Sequence, residues 1–246
     1  MDEEPIIATS HYSIIYNIPK ATKVKPIPEP IYKKLGRNYF KSECVSLAKD
    51  LLGKIIYRRY TDNENEVRTI RCRIVETEAY KAPEDKACRA YNNQKTLRTK
   101  PLWYDGGHWY VFTIYMKTNI CLNIVCGDKD QPEAVLIRAI EPIEGLEAIK
   151  ANRKKKLNGK SLSNKQLIEL TNGPGKSGQA MGVDNSWSGA DFVDGDEEFY
   201  VEEEIGYELK NKDVISGPRV NIDYAKEWVN KPWRFYIRGN SYVSKK

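Results

Sequence analysis

Histidine is scarce in this chain, and paired cysteines are missing. Only two of the 246 residues are histidine, His11 and His108, and they lie far apart. A Ser-His-Asp or Cys-His mechanism would therefore have to rest on one of these two. The five cysteines form no CxxC pair, and their odd number argues against a disulfide framework. Since no Cys/His cluster of the kind that holds structural zinc is visible either, acid–base chemistry falls to carboxylates.

The sequence also has no apolar run that approaches the roughly 20 residues needed to span a bilayer. Its first four residues, Met1–Glu4, are acidic, unlike the start of a secretory signal. We therefore expect a soluble, intracellular protein. Hydrophobic residues make up 40% of the chain and charged residues 30%, which is enough apolar material for one large domain with a core. The formal net charge of +6 suits a polyanionic partner, and it suits an ordinary basic enzyme as well.

The pattern along the chain predicts an α+β fold. Residues 1–36 mix lysines and prolines without a helical or strand period, which favours a flexible basic extension before a single domain at 37–246. A helix capped by Ser42 is predicted up to Gly53, followed by a hairpin whose second strand reaches Tyr80. Further strands are predicted at Trp109–Tyr115, Ala134–Ile140, Phe199–Glu203 and Trp233–Arg238, with helices at Glu144–Leu157 and Lys165–Leu170. This order favours a mostly antiparallel curved sheet with surrounding helices.

Two predicted strands carry charges on apolar faces. Because strand side chains alternate, one face of the second strand should carry Glu76 and Glu78 together with the apolar residues Ile70, Cys72 and Ile74. Arg138 interrupts the apolar strand Ala134–Ile140 in the same way. A carboxylate buried without a partner is costly, so these groups should meet. The pairing is compatible with a structural salt bridge and with a functional site.

Aromatic residues crowd the segment from Trp103 to Tyr115, with Lys95, Arg98 and Lys117 among or beside them. Rings that stack on bases and cations that meet phosphates are typical of nucleic-acid binding. Aromatic-rich strands are also common in protein cores. From composition alone a nucleic-acid-binding module and a small-molecule hydrolase both remain open.

Several blocks of the sequence together resemble the alkyladenine (3-methyladenine, or methylpurine) DNA glycosylases. The most distinctive is Ile74–Tyr80 (IVETEAY), which is followed by the loop Pro83–Ala87. Similar blocks continue in the same order from residue 37 to 244, and they include Gly107–Tyr115, Cys121–Asn123, Val135–Pro142, Gly173–Lys176, Gly217–Val220 and Pro232–Gly239.

The resemblance implies a monofunctional base-excision enzyme. Such an enzyme extrudes an alkylated purine nucleotide from duplex DNA and hydrolyses its N-glycosidic bond with water, without a Schiff base, a metal or another cofactor. The implied substrates are 3-methyladenine and 7-methylguanine, with hypoxanthine and ethenoadenine less certain. A monomer is expected, located in the nucleus of a eukaryote or in the cytoplasm or nucleoid of a bacterium.

The resemblance also assigns roles to individual residues. Glu78 corresponds to the general base, and Arg138 to the arginine that helps to hold the attacking water. We therefore expect the Glu78 carboxyl to open into a ring-lined cavity beside Arg138, with room for a water molecule. The implied base-binding residues are Tyr80, Arg89, Phe112 and Asn123, and the implied DNA-intercalating residue is Tyr115.

Three positions depart from the family pattern. Arg89 stands where the family usually has histidine, and a permanent cation cannot accept a hydrogen bond as neutral imidazole does. Phe112 stands where tyrosine is frequent, so stacking is kept and a hydroxyl contact is lost. The stretch Met116–Ile120 is one residue longer than usual. Arg89 and the longer loop leave open a damaged-DNA-binding relative with weak or lost catalysis. A third reading of the chain is an unrelated RNA-binding domain.

Overall fold

The computed structural model describes residues 29–114, 119–154 and 162–245. Its strands form one antiparallel sheet of nine strands. They are β1 (Tyr32–Lys34), β2 (Ile55–Thr61), β3 (Val67–Lys81), β4 (Trp109–Ile114), β5 (Asn119–Val125), β6 (Glu133–Glu144), β7 (Phe199–Glu204), β8 (Val214–Gly217) and β9 (Arg234–Ile237). The helices are α1 (Arg37–Phe40), α2 (Cys44–Asp50), α3 (Leu146–Asn152), α4 (Asn164–Ile168) and α5 (Pro174–Ala180). The predicted α+β class is confirmed.

Strand β3 occupies the centre of the sheet, whose order is β1-β7-β2-β3-β6-β5-β4. One side of β3 pairs with β6 along most of its length. The other side pairs first with β2 and then, at Glu76–Glu78, with β9. The predicted hairpin of β2 and β3 is confirmed, and its turn is held by the Asp62 carboxylate, which accepts from the amides of Glu64 and Glu66.

The pairing of β3 with β6 is irregular beside the acidic pair. Val75 is an extra residue in β3, between paired positions 74 and 76, and Arg138 is an extra residue in β6. Such bulges bend a strand, redirect its side chains and occur next to active sites. Each bulge lies in the part of its strand where the sequence places a charged residue among apolar ones.

The bulge at Val75 overturns the prediction that Glu76 and Glu78 continue the face of the preceding apolar residues. One extra residue reverses which face each later side chain occupies, because the period of a strand is two. Val75 belongs to the hydrophobic core, and the Thr77 hydroxyl donates to the carbonyl of Ala48 in α2 at 2.6 Å. The two glutamates therefore point away from α2, to the opposite face of the sheet.

The helix predicted between Ser42 and Gly53 exists as α2, although its cap is different. The N-cap of α2 is Glu43, whose carboxylate accepts from the amide of Ser46 at 2.9 Å. Ser42 instead donates its hydroxyl hydrogen to the carbonyl of Tyr39. Strand β1 pairs with β7, so the sheet begins a few residues before the expected end of the extension at residue 36.

The predicted helix Glu144–Leu157 begins later than the sequence pattern indicates. Strand β6 runs to Glu144, and Gly145 turns the chain with a φ of 81° before α3 begins at Leu146. A Cβ at Gly145 would lie 2.1 Å from the carbonyl oxygen of Thr69, so only glycine fits this close approach to β3. The predicted residues 155–157 lie outside the described part of the chain.

Helix α5 and strand β5 were not predicted as elements. The α5 sequence is rich in glycine, which is a poor helix former. The packing of α5 on β5 requires glycine at position 178, because a Cβ there would lie 2.3 Å from the carbonyl oxygen of Ile120. None of the helices within the described ranges is both long and apolar enough to cross a membrane.

Candidate active site

The Glu78 carboxylate is fully buried and accepts three hydrogen bonds. The Tyr80 hydroxyl donates to Oε2 at 2.8 Å, and the Arg138 guanidinium donates to the same oxygen at 3.3 Å. The backbone amide of Val220 donates to Oε1 at 2.7 Å. A carboxylate offers about four acceptor positions, so these donors leave room for one more hydrogen bond at Oε1.

The environment of Glu78 acts on its pKa in both directions. Burial is the largest effect, and it raises the pKa because it disfavours the charged form. The positive charge of Arg138, the Val220 amide and the Tyr80 hydroxyl each lower the pKa in part. The net result is a carboxyl whose pKa lies above its ordinary value. Burial and the neighbouring Glu78 raise the pKa of Tyr80, which keeps its hydroxyl protonated as the donor.

Glu76 holds Arg138 from the other side. Its Oε1 accepts from Arg138 Nε at 3.2 Å and from Arg234 Nη1 at 2.8 Å, and its Oε2 accepts from the amide of Ser244 at 2.7 Å. The Ser244 hydroxyl also accepts from Arg138 Nη2 at 3.4 Å. Arg138 is thus fixed between two glutamates and the C-terminal segment.

A cavity of about 910 Å³ adjoins this network. Its lining includes the three partners of Glu78, which are Tyr80, Arg138 and Val220. The Glu78 carboxyl itself has no exposed surface. The structure therefore differs from the expectation of an open carboxyl, because the groups that bind Glu78 also separate it from the cavity. The cavity is large enough to take a nucleotide base with its sugar.

The other predicted base-binding residues converge on the same cavity, whose lining also includes Arg89, Phe112 and Asn123. The Arg89 guanidinium lies 4.3 Å from the centroid of the Phe112 ring, a cation–π contact. The Asn123 amide donates to the carbonyl of Tyr110 at 2.9 Å, which fixes the orientation of its side chain. Tyr115 lies outside the described residues.

A buried pair that sequence reasoning missed supports the Tyr80 ring. Arg219 binds both carboxylate oxygens of Asp85, at 2.6 and 2.8 Å, and donates to the carbonyl of Ala79 at 2.8 Å. Its guanidinium lies 4.7 Å from the centroid of the Tyr80 ring. The two residues are 134 positions apart, so only the motifs around them, Pro83–Ala87 and Gly217–Val220, signalled their importance.

One group within the described ranges has the composition of a metal site. Ligand atoms of Cys44, Cys126 and Glu133 lie within 4.8 Å of one another, and all three residues are buried. Protein groups already engage two of them. Glu133 accepts from the Cys44 amide and pairs with Lys81, while the Cys44 thiol donates to the carbonyl of Ala134. The expectation that no metal is required stays a prediction.

Comparison with known proteins gives this arrangement its context. The family model described as methylpurine-DNA glycosylase matches residues 38–241. A protein of Natranaerobius thermophilus is 46% identical over 211 residues, which cover 86% of this chain and 98% of the relative. Proteins of Clostridium novyi and Desulfitobacterium hafniense are 43% and 40% identical over 87% of this chain and their full length. All three carry the provisional name 3-methyladenine DNA glycosylase.

Fold, cavity and comparisons together define a DNA glycosylase. The chain belongs to the methylpurine-DNA glycosylase family, and the predicted resemblance is confirmed.

The Glu76 network makes a prediction about stability. Glu76→Gln removes the negative charge that pairs with Arg234 and Arg138. Two buried guanidinium groups then lose an anionic partner. We expect the free energy of unfolding to fall by about 3 kcal/mol in urea denaturation, since breaking a buried ion pair is strongly destabilising. Glu141→Gln, at a partly exposed carboxylate that accepts from Asn240, serves as the control and should change stability little. Equal losses in the two variants would contradict the assignment.

Proposed function

We propose that this protein excises alkylated purines, such as 3-methyladenine and 7-methylguanine, from duplex DNA. The observation that carries the proposal is a buried carboxylate, Glu78, which is held by Arg138 directly behind the wall of a ring-lined cavity of about 910 Å³. Family membership supports the same activity. Duplex DNA cannot present its C1′ to a recessed carboxylate, so the damaged nucleotide has to leave the base stack and enter the cavity.

In the proposed reaction, Glu78 acts as general base toward a water molecule. The water oxygen forms a bond to C1′ of the deoxyribose, and its proton goes to Glu78. The bond between C1′ and the purine nitrogen breaks, and the purine leaves with the electron pair. A purine methylated at N3 or N7 is cationic and becomes neutral as it departs, so no protonation of the leaving group is needed.

The position of the water follows from the hydrogen bonds of Glu78. Oε2 accepts hydrogen bonds from both Tyr80 and Arg138. Within the described structure, Oε1 accepts one hydrogen bond, from the amide of Val220. We place the water at the acceptor position that remains on Oε1. Because this atom is buried, the contact with Val220 or Tyr80 has to open when the nucleotide enters. Such rearrangements are common between free and substrate-bound active sites.

The aromatic rings of Tyr80 and Phe112 supply stacking surfaces in the proposed complex. Stacking of a base on an aromatic side chain contributes about 1–3 kcal/mol, which offsets part of the cost of unstacking the nucleotide. A cationic purine gains a further cation–π attraction. Arg89, which already contacts Phe112, is the residue that we expect to adjust this preference.

The role of Glu78 can be tested with Glu78→Gln. We expect single-turnover release of 3-methyladenine and 7-methylguanine to fall at least about a hundredfold, the usual range for losing a general base. Binding to a damaged duplex should persist, because the amide keeps the shape of the side chain. Glu202→Gln, at another buried glutamate that pairs with Arg71, is the matched control. A wild type that binds damaged DNA but releases no base would favour the alternative of a non-catalytic relative.

The raised pKa of Glu78 predicts an acid limit to activity. Only the ionised carboxylate can accept a proton, so the rate should fall as the pH drops through the raised pKa. Arg138 lowers that pKa by favouring the charged form, so Arg138→Gln should move the acid limb to higher pH as well as slow the reaction. The measurement is a pH profile of single-turnover excision, with Arg71→Gln as the control. An acid limb that stays in place or moves to lower pH in Arg138→Gln would refute the assignment.

Arg89 should make excision selective among lesions. Its guanidinium only donates hydrogen bonds, so a base that needs an acceptor at this position loses a partner. We expect the wild type to excise ethenoadenine more slowly than 3-methyladenine. Arg89→His should raise the rate of ethenoadenine excision about tenfold relative to that of 3-methyladenine, because one hydrogen bond contributes a free energy of that size. Excision of each base from matched duplexes measures this. Comparable turnover of the two lesions by the wild type would disprove the idea.

A further inference from the structure

Asp85 and Arg219 form an ion pair whose two side chains have no exposed surface. Both carboxylate oxygens of Asp85 accept from the Arg219 guanidinium, at 2.6 and 2.8 Å. Asp85 also accepts from the backbone amides of Lys81 at 3.2 Å and Ala87 at 3.0 Å. The pair therefore joins the end of β3, the loop that follows it and the segment after β8. A contact with two parallel hydrogen bonds also fixes the plane of the guanidinium.

Arg219 holds the backbone next to the proposed general base. Its Nη1 donates to the carbonyl of Ala79, the residue directly after Glu78, at 2.8 Å. The residue after Arg219 is Val220, which donates its amide to Glu78 Oε1 at 2.7 Å. Within the described residues, the hydrogen bonds of positions 219–221 are those of the Arg219 side chain and the Val220 amide. The placement of that amide thus depends on the ion pair.

Other contacts hold the two ends of this segment. The Pro218 carbonyl accepts from Arg234 Nε at 3.0 Å, and the Ile222 carbonyl accepts from the Ala225 amide at 2.8 Å. Ile222 and Ala225 are also buried in a small apolar cluster with Ala87. Weakening the ion pair should therefore release the Val220 amide while the surrounding chain stays folded.

We propose that the Asp85–Arg219 pair positions the Val220 amide on the Glu78 carboxylate. This inference rests on the proposed function, in which Glu78 is the general base. Val220 lines the cavity of the described structure, whereas Asp85 and Arg219 do not, so the pair acts through Val220 and its members are positioning residues. The role requires an arginine, because the single ammonium of a lysine cannot bind both carboxylate oxygens and the Ala79 carbonyl in one plane.

The Val220 amide favours the charged form of Glu78, so its hydrogen bond lowers the pKa of that carboxyl. Displacing the amide should raise this pKa and move the acid limb of excision to higher pH. The titratable and charged groups that face Glu78 are Glu76 and Tyr80 of β3, Arg138 of β6, Cys121 of β5 and Arg219 after β8. Arg219→Lys and Asp85→Asn both keep a cation at position 219, so an upward shift in these variants reports the position of the amide.

The test is a pH profile of single-turnover 7-methylguanine excision from duplex DNA, measured at a temperature at which each variant is folded. We expect Arg219→Lys and Asp85→Asn to lower the plateau rate about tenfold, because a misplaced catalytic group is costly. Their acid limb should move up by about one pH unit, the effect of one hydrogen bond to a carboxylate. Arg58→Lys, at a buried arginine outside the cavity lining, is the matched control and should keep the wild-type limb.

A second variant removes the amide itself. The α-hydroxy acid analogue of valine at position 220 replaces the N–H by an ester oxygen and changes no side chain. It should reproduce the shift of the acid limb. Adding Arg219→Lys to it should contribute less than about half of the shift that Arg219→Lys causes alone, because both changes break one contact.

Two results would overturn the positioning role while wild-type excision leaves the proposed function intact. One is an acid limb that stays in place or moves to lower pH in Arg219→Lys and Asp85→Asn. The other is full additivity of Arg219→Lys with the ester at position 220. Absence of excision by the wild type would instead defeat the proposed function.

Discussion

The cost of burying charge constrains the centre of this structure. Glu78 and Glu76 are fully buried, and an unpaired carboxylate there would cost several kcal/mol. Arg138 pairs with both, and Arg234 and Ser244 complete the bonding of Glu76. The network thus requires the central strands and the C-terminal segment to be in place together. A carboxylate prepared in this way keeps a raised pKa without losing its orientation.

The bulges in β3 and β6 explain how an antiparallel sheet can hold such a network. In a regular sheet, strand alternation would direct Glu76 and Glu78 toward α2, into the hydrophobic core. The extra residue at Val75 turns them to the opposite face, and the bulge at Arg138 brings the guanidinium between them. The same irregularity that breaks the hydrogen-bond ladder therefore places the charges beside the cavity.

Around the cavity, ordered elements hold each side chain that we propose contacts DNA. Arg219 supports the Tyr80 ring, and the Asn123 amide is fixed by the carbonyl of Tyr110. Arg98 anchors its own loop to β4 through the carbonyl of Thr113. Rigid support of this kind lowers the entropy lost when a nucleotide binds. The partners of Glu78 separate it from the cavity, and we propose that DNA binding opens one of these contacts.

The sequence by itself determined the family, the α+β class and the residues around the cavity, because motif identity and strand periodicity are local properties. The meeting of Glu78 with Arg138 was also predictable, since each is a charge in an apolar strand. Tertiary structure alone decided the face of the glutamates, the pairing of Asp85 with Arg219 and the covering of Glu78. A bulge depends on register with another strand, and a buried ion pair depends on residues far apart in the chain, so neither leaves a periodic signal in the sequence.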